Sequence, residues 1–182
     1  MIFRSVVPGW LRLLALLPSV VMVSSACSPA LNWREVRAGS GDSRILFPCK
    51  PTLEDRKQLL AGMALPMRMY ACQAEGAIYA LAWADTAERA NVSPVLEAWT
   101  NAQVKNLNAE THLLDPFPVH VGRQTKPAGH QFLKGRLPDG SAVQQEAVFF
   151  ASGTRVVRAM VMAPHVNREA ASIFFESLNW SE

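Results

Sequence analysis

Four histidines are the side chains of this sequence best suited to binding a metal or moving a proton. They are His112, His120, His130 and His165. No two of them stand one, three or four residues apart, the spacings common in local metal sites. We therefore expect histidines that are exposed or hydrogen-bonded locally, with a zinc site at His120 and His130 as the alternative. The sequence predicts neither a metal nor a cofactor.

Nucleophilic catalysis has no recognisable motif in this chain. A serine hydrolase of the nucleophile-elbow type needs Gly-x-Ser-x-Gly, which does not occur. Gly39-Ser40-Gly41 is only part of a phosphate-binding loop, because the Lys-Ser/Thr pair of such loops is missing after it. The sequence therefore predicts no catalytic residue and a protein that is not an enzyme.

Four charged side chains could share one face of a sheet by simple alternation. They are Lys134, Arg136, Glu146 and Arg158. We expect a solvated network of cross-strand ion pairs there, with an anion-binding patch as the alternative.

The three cysteines, Cys27, Cys49 and Cys72, are an odd number, which in an oxidising compartment requires one of them to be modified or paired elsewhere. Modification of Cys27 leaves Cys49 and Cys72 for a disulfide between neighbouring strands. That bond would close a loop of about 24 residues and stabilise the fold by roughly 3 kcal/mol. The alternative is a redox-active or metal-binding pair, although there is no Cys-x-x-Cys and no nearby histidine.

The N-terminus has the three parts of an export signal: a positively charged start, an apolar run over 13–23 and small residues before Cys27. We assign a signal peptide to residues 1–26. The apolar run contains Pro18 and is about half of the roughly 20 residues that a transmembrane helix needs. An uncleaved, extended membrane segment is the alternative.

The segment Val23-Ser24-Ser25-Ala26-Cys27 resembles the lipobox of bacterial lipoproteins. The resemblance implies that Cys27 is acylated, and that the chain is lipid-anchored to a membrane in the bacterial cell envelope and faces the periplasm. Ser24 departs from the lipobox pattern, and Ser24-Ser25-Ala26 also suits ordinary signal cleavage, which would release a soluble protein.

The charge balance argues against nucleic acid as a partner. The chain has 18 basic and 15 acidic residues, and loss of Arg4 and Arg12 with the signal leaves 16 against 15, a net charge of +1. Contacts with phosphates need a concentrated basic excess.

Short apolar runs separated by turn residues predict strands in the first half of the chain. We expect an edge strand over 33–37, a strand over 43–48, a helical turn over 52–58 and a hairpin of 67–73 with 77–84. The last of these strands is apolar on both sides and should be covered on both faces.

The second half repeats this pattern around two predicted helices. We expect a helix over 94–108, a short edge strand over 119–123, antiparallel strands over 130–137, 142–151 and 154–163, and a final helix capped by Asn167. Together these elements predict an α+β fold, an antiparallel sheet of about six strands with the helices packed on it. Its domains would be the signal peptide (1–26), a lipidated N-terminus with a short tether and a possible edge strand (27–42), and one globular domain (43–182).

Four segments, in this order along the chain, carry a family resemblance. They are Phe47-Pro48-Cys49-Lys50-Pro51, Tyr70-x-Cys72 with Gly76-x-x-Tyr79, Leu137-Pro138-Asp139-Gly140 and Phe174-Phe175-Glu176-Ser177-Leu178. The sequence resembles uncharacterised proteobacterial envelope lipoproteins with a PsbP-like α/β/α sandwich. The resemblance implies a fold used in binding and assembly, with no catalytic residues to carry over.

The connection over 113–129 is the predicted partner-binding segment. Leu114, Phe117 and Val119 place apolar side chains in a proline-containing loop, where they either pack on the sheet or meet a partner. We therefore expect a noncatalytic envelope lipoprotein that binds an envelope protein or assists assembly. The alternative is a small-ligand carrier, or a hydrolase-type enzyme whose site is assembled from dispersed residues.

Overall fold

The computed structural model of this protein describes residues 31–39 and 41–181. The expected signal peptide and Cys27 lie outside the described residues. Within them the chain forms eleven strands and two α-helices. Neither helix in this part has the length and apolar character needed to span a bilayer.

The first half contains five strands, a short 3-10 helix (Arg89–Asn91) and one α-helix. Its elements are β1 (Arg34–Arg37), β2 (Arg44–Phe47), β3 (Thr52–Leu60), β4 (Met63–Ala74), β5 (Ala77–Asp85) and α1 (Val92–Asn106). The second half contains β6 (Glu110–Leu113), β7 (Phe117–Val121), β8 (Gln124–Arg136), β9 (Ala142–Ser152), β10 (Arg155–Ala163), α2 (Arg168–Glu176) and β11 (Asn179–Trp180).

All eleven strands belong to one curled sheet that forms a half-barrel. The strand order is β1-β2-β11-β7-β8-β9-β10-β5-β4-β3, with β6 paired separately to β8. Neighbouring strands are antiparallel except for β11 and β7, which run parallel. Helix α2 packs against β2 and β7 on the inner face, whereas α1 packs against β3, β9 and β10.

The expectation of about six strands in a PsbP-like sandwich is wrong. Part of the difference is the segment expected to form a helical turn over 52–58, which is strand β3. It pairs with β4 from Thr52 opposite Ala71 to Leu60 opposite Met63. The turn between them has positive φ at Ala61 and Gly62, as a tight two-residue hairpin turn requires. An edge strand that is exposed along most of its length needs no alternation of apolar residues. The charged sequence of β3 therefore gave no strand pattern from which it could be predicted.

The segment over 113–129 is mostly strand and not an extended loop: the strand expected over 119–123 is present as β7, although it lies inside the sheet and not at its edge. It contains β7 and the beginning of β8, which pair with Pro118 directly opposite Pro127. Proline is a poor strand residue because it cannot donate a hydrogen bond to a neighbouring strand. In an antiparallel pair of strands, every second pair of opposed residues forms no hydrogen bonds with each other. Two prolines can therefore face each other at such a position without loss of a hydrogen bond.

The two helices cover opposite faces of the sheet. Helix α2 contributes Phe174 and Phe175 to the larger core, together with Tyr79 and Leu81 of β5. Helix α1 packs its buried face against the other side of β5, at Ala82 among others. Strand β5 is therefore covered on both faces, as its composition predicted. The expected helices are confirmed: α1 agrees within two residues, and Asn167 caps α2 as predicted.

The predicted disulfide between Cys49 and Cys72 is present, with 6.0 Å between the Cα atoms. Cys49 follows β2, which lies near one end of the strand order, and Cys72 belongs to β4, near the other end. The rings of Phe47 and Tyr70 meet beside it with centroids 6.5 Å apart. The bond therefore joins the two ends of the curled sheet.

We expect the double variant Cys49→Ala/Cys72→Ala to lose about 3 kcal/mol of unfolding free energy, because the unfolded chain is no longer cross-linked. For a domain of this size the melting temperature should fall by roughly 6–12 °C. Urea unfolding of the variant and of the reduced wild type should give the same curve. Recovery of both cysteines as free thiols in protein isolated under non-reducing conditions would contradict the bond.

Gly129 in β8 should tolerate no side chain. A Cβ atom there would lie 2.2 Å from Cε2 of Phe149, the residue opposite on β9. Gly129→Ala should therefore destabilise the fold by about 1–3 kcal/mol through overpacking. The double variant Gly129→Ala/Phe149→Ala should lose less unfolding free energy than the two single variants lose together. Full additivity in chemical denaturation would show that the two residues do not meet.

Candidate functional site

The histidines do not converge on one site. His120 contacts Thr125 with Nδ1 and Oγ1 3.2 Å apart, and His130 pairs with Glu146 with Nε2 and Oε1 2.9 Å apart. His112 and His165 line an open groove on the surface. In the part of the chain that the structure describes, no three histidine, cysteine or acidic residues come close enough to hold a metal ion.

His130 and Glu146 form a structural pair in the core. Their side chains are 12% and 7% exposed, and Arg168 approaches the other Glu146 oxygen at 3.8 Å. The imidazole packs against the rings of Phe117 and Phe175, with centroids 5.3 and 6.3 Å away. The pair is nearly enclosed and packs against aromatic rings, so we interpret it as part of the core.

The predicted partner-binding residues pack on the protein itself. Val119 is 1% exposed and belongs to the main core, and Leu114 and Phe117 are half-buried against it. The exposed apolar residue of this region is instead their neighbour Leu113, at 77%. Of the two possibilities, the structure shows that these side chains pack on the protein itself. Partner binding by these three residues stays an untested prediction.

The four charged residues expected on one face are divided between the two faces. The turn after β9 pairs Ser152 with Arg155, which places Arg158 opposite Phe149. Glu146 lies opposite Val161, which belongs to the core on the α2 side. Simple alternation ignored this odd offset, and a shift of one residue reverses the face of every side chain in a strand. Arg158 is thus turned toward α1, away from Glu146.

A cavity of about 180 Å³ lies between α1 and the sheet. Val95 and Trp99 are buried and hold the first part of α1 against the strands. Ala102 follows on the same side of the helix, because residues three and four apart share a face. Ala102 lines the cavity together with Ala80 and Ala82 of β5, and the short side chains of these three residues leave space between the helix and the sheet.

Arg158 lines this cavity and is only 7% exposed. Its guanidinium contacts the sulfur of Met160 at 3.5 Å and lies 6.0 Å from the centre of the Trp99 ring. No acidic residue pairs with it anywhere in 31–39 or 41–181. Burial lowers the pKa of Arg158 to about 10, since a low-dielectric site disfavours the charged form. The side chain still carries its positive charge at neutral pH.

The remaining lining separates into an apolar part and a polar part. Met67 and Met69 of β4 join Met160 as the apolar part. The polar part is formed by Gln103 and Asn106 of α1 with Arg56 and Gln58 of the edge strand β3. Arg56 is half-exposed and forms an ion pair with Glu54. The cavity therefore has one buried charge without an acidic partner, at Arg158.

Sequence reasoning singled out Arg158 but not the cavity. The signal was present in β10, where Val156-Val157-Arg158-Ala159-Met160 places one charge inside an apolar strand. A charged residue at such a position is buried or marks a function. Its partners Met67, Met69 and Ala102 come from elements distant in sequence, and no local pattern connects them.

Phe117→Ser should lower the unfolding free energy by about 2 kcal/mol, because the ring packs on His130 and Phe175. The matched control Leu113→Ser alters an exposed apolar residue nearby and should stay within about 0.5 kcal/mol of wild type. Thermal and urea unfolding measure both. An unchanged melting temperature for Phe117→Ser would show that this ring is free for a partner.

Comparison with known proteins gives no indication of function. No protein-family model matches the sequence, and no curated protein matches it. The expected resemblance to envelope lipoproteins with a PsbP-like domain thus gains no support, and its sandwich fold is replaced by the half-barrel. The cavity at Arg158 is the feature from which a function must be argued.

Proposed function

We propose that this chain is a noncatalytic protein of the bacterial cell envelope that binds a small anion in the cavity beneath α1. The buried guanidinium of Arg158 is the observation that carries the proposal. A buried charge without a counter-ion destabilises a fold, whereas replacement by an apolar residue often stabilises it. A charged residue at this buried position is explained if an anion completes the site.

The side chains that line the cavity favour binding of a ligand over catalysis of a reaction. It consists of arginine, glutamine, asparagine, methionine, alanine and tryptophan side chains. Acyl or phosphoryl transfer and hydrolysis need a nucleophile, a general base or a metal, and these side chains offer none of them at neutral pH. This argument supports the small-ligand carrier over the hydrolase-type enzyme. The inward packing of Phe117 and Val119 also makes the carrier a better candidate than the protein-binding module.

The envelope assignment rests on the sequence and on the disulfide. A bond between Cys49 and Cys72 persists in an oxidising compartment, which suits an exported protein. The lipobox-like segment before Cys27 supports a lipid anchor that holds the domain at a membrane facing the periplasm. A ligand held there would be a solute of the periplasm or of the adjacent membrane surface.

Binding is tested with Arg158→Met, which removes the charge and keeps the side-chain bulk. Without ligand we expect the variant to be more stable than wild type by about 1–4 kcal/mol. Calorimetry should show binding of at least one simple anion, among acetate, phosphate and hexanoate, by wild type and its loss in the variant. Arg123→Met, at an exposed turn residue, is the control for the change in net charge.

Three results would count against the proposal. Either none of these anions binds wild type at millimolar concentration, or Arg158→Met binds them as well as wild type does. Marked destabilisation by Arg158→Met would also count against it, because it would assign the guanidinium to the fold.

The anchor is tested separately with Cys27→Ala. The variant should move from the membrane fraction to the soluble fraction and lose the mass of the acyl groups, since one cysteine carries the lipid. Fractionation and intact-mass spectrometry measure this. A wild-type protein that begins at an unmodified Cys27 would instead indicate ordinary signal cleavage.

A further inference from the structure

We infer that the ligand of the cavity is a short aliphatic monocarboxylate, with its carboxylate on Arg158 and its hydrocarbon chain against the methionines. This inference rests on the proposed function, and it names the chemical class of the anion. Three properties of the site lead to it: the number of free charges, the chemistry of the wall and the volume.

The charge balance of the site favours a ligand with one negative charge. Arg158 is the buried cation, and the other arginine in the lining, Arg56, is half-exposed and already paired with Glu54. A dianion such as phosphate or succinate would bring a second negative charge into the protein without a second free cation. A carboxylate brings one charge and matches the two parallel donors of a guanidinium.

The wall beside Arg158 is apolar. The sulfur of Met160 contacts the guanidinium, and Met67, Met69, Ala80 and Ala82 line the same cavity with sulfur, methylene and methyl groups. Methionine side chains adapt to chains of different shape because they are unbranched and polarisable. An ion that keeps its water shell gains nothing from this wall, whereas a hydrocarbon chain gains about fourfold in affinity for each methylene that it buries.

The volume limits the length of the chain. At about 30 Å³ for each water-sized group, a cavity of about 180 Å³ holds about six non-hydrogen atoms. A carboxylate and a chain of three or four further carbons fill it. A longer chain has to pass between the polar side chains of α1 and those of β3, where the added methylenes stay in water.

The experiment titrates the purified protein with a chain-length series of acetate, butanoate, hexanoate and octanoate. Three further probes differ in charge: phosphate and succinate can carry two negative charges, and hexanol carries none. We expect butanoate to bind at least tenfold more tightly than acetate, hexanoate to gain at most about fourfold more, and octanoate to gain nothing further. Phosphate, succinate and hexanol should bind at least tenfold more weakly than hexanoate.

Methyl-labelled methionine in NMR spectra reports where the ligand lies. Hexanoate should shift the signals of Met67, Met69 and Met160. Ala102→Leu fills the cavity from the helix without altering charge and should weaken hexanoate binding at least tenfold. Asn101→Leu, which adds similar bulk at an exposed neighbouring position of α1, should leave binding unchanged.

The outcomes separate the two proposals. If phosphate, succinate or acetate binds through Arg158 and chain length adds no affinity, the monocarboxylate inference is overturned and anion binding stands. If hexanoate binds equally well to Ala102→Leu, the chain lies outside the cavity and the inference is again overturned. If nothing binds, or if Arg158→Met binds hexanoate as tightly as wild type, both proposals are overturned.

Discussion

The closure of the curled sheet between β2 and β4 is the constraint on which the rest of this fold depends. Strands β2 and β3 follow each other in the chain with only residues 48–51 between them, yet they lie near opposite ends of the strand order. The sheet must therefore curl until its two ends meet. The Cys49–Cys72 bond and the contact of Phe47 with Tyr70 hold that meeting point. The inner face becomes the main core, which α2 and the rings of Trp83 and Trp180 fill.

The curled sheet encloses its inner face, and α1 covers the outer face of its central strands. That helix follows β5 directly and returns across strands β3, β9 and β10. Its large residues Val95 and Trp99 lie in its first half, and its second half presents Ala102 to the alanines of β5. Leu107 at the end of the helix packs in a further buried cluster with Leu133, so α1 is held at both ends and the cavity lies beside the small residue between them. A binding cavity at this place follows from the distribution of side-chain size along one helix.

The two buried charges of the described chain illustrate two ways of placing an ionised group inside a protein. Glu146 is stabilised by His130 at hydrogen-bond distance and by the approach of Arg168, so its burial is compensated locally. Arg158, on the other face of the sheet, has only the sulfur of Met160 and the ring of Trp99. A sulfur acceptor and a cation–π contact are weak substitutes for a carboxylate in a desolvated site. This imbalance distinguishes a charge that serves the fold from one that suits a ligand.

The sequence by itself determined the features that depend on neighbouring residues. Cysteine parity predicted the Cys49–Cys72 pair, helical periodicity predicted α1 and α2, and turn residues predicted the hairpin of β4 with β5. Each of these signals lies within a short stretch of chain or in the count of one residue type.

Only the tertiary structure decided which surfaces those elements share. Strand β3 is stabilised by its pairing with β4 and has no apolar pattern of its own, and β11 gains its place between β2 and β7 from residues far away in the chain. The face on which Arg158 lies depends on a one-residue offset at the turn between β9 and β10. The cavity exists because methionines of β4, alanines of β5 and a short side chain of α1 come together. Pairing and packing between distant segments leave no periodic trace in either segment, and for that reason the candidate site appears only once the chain is folded.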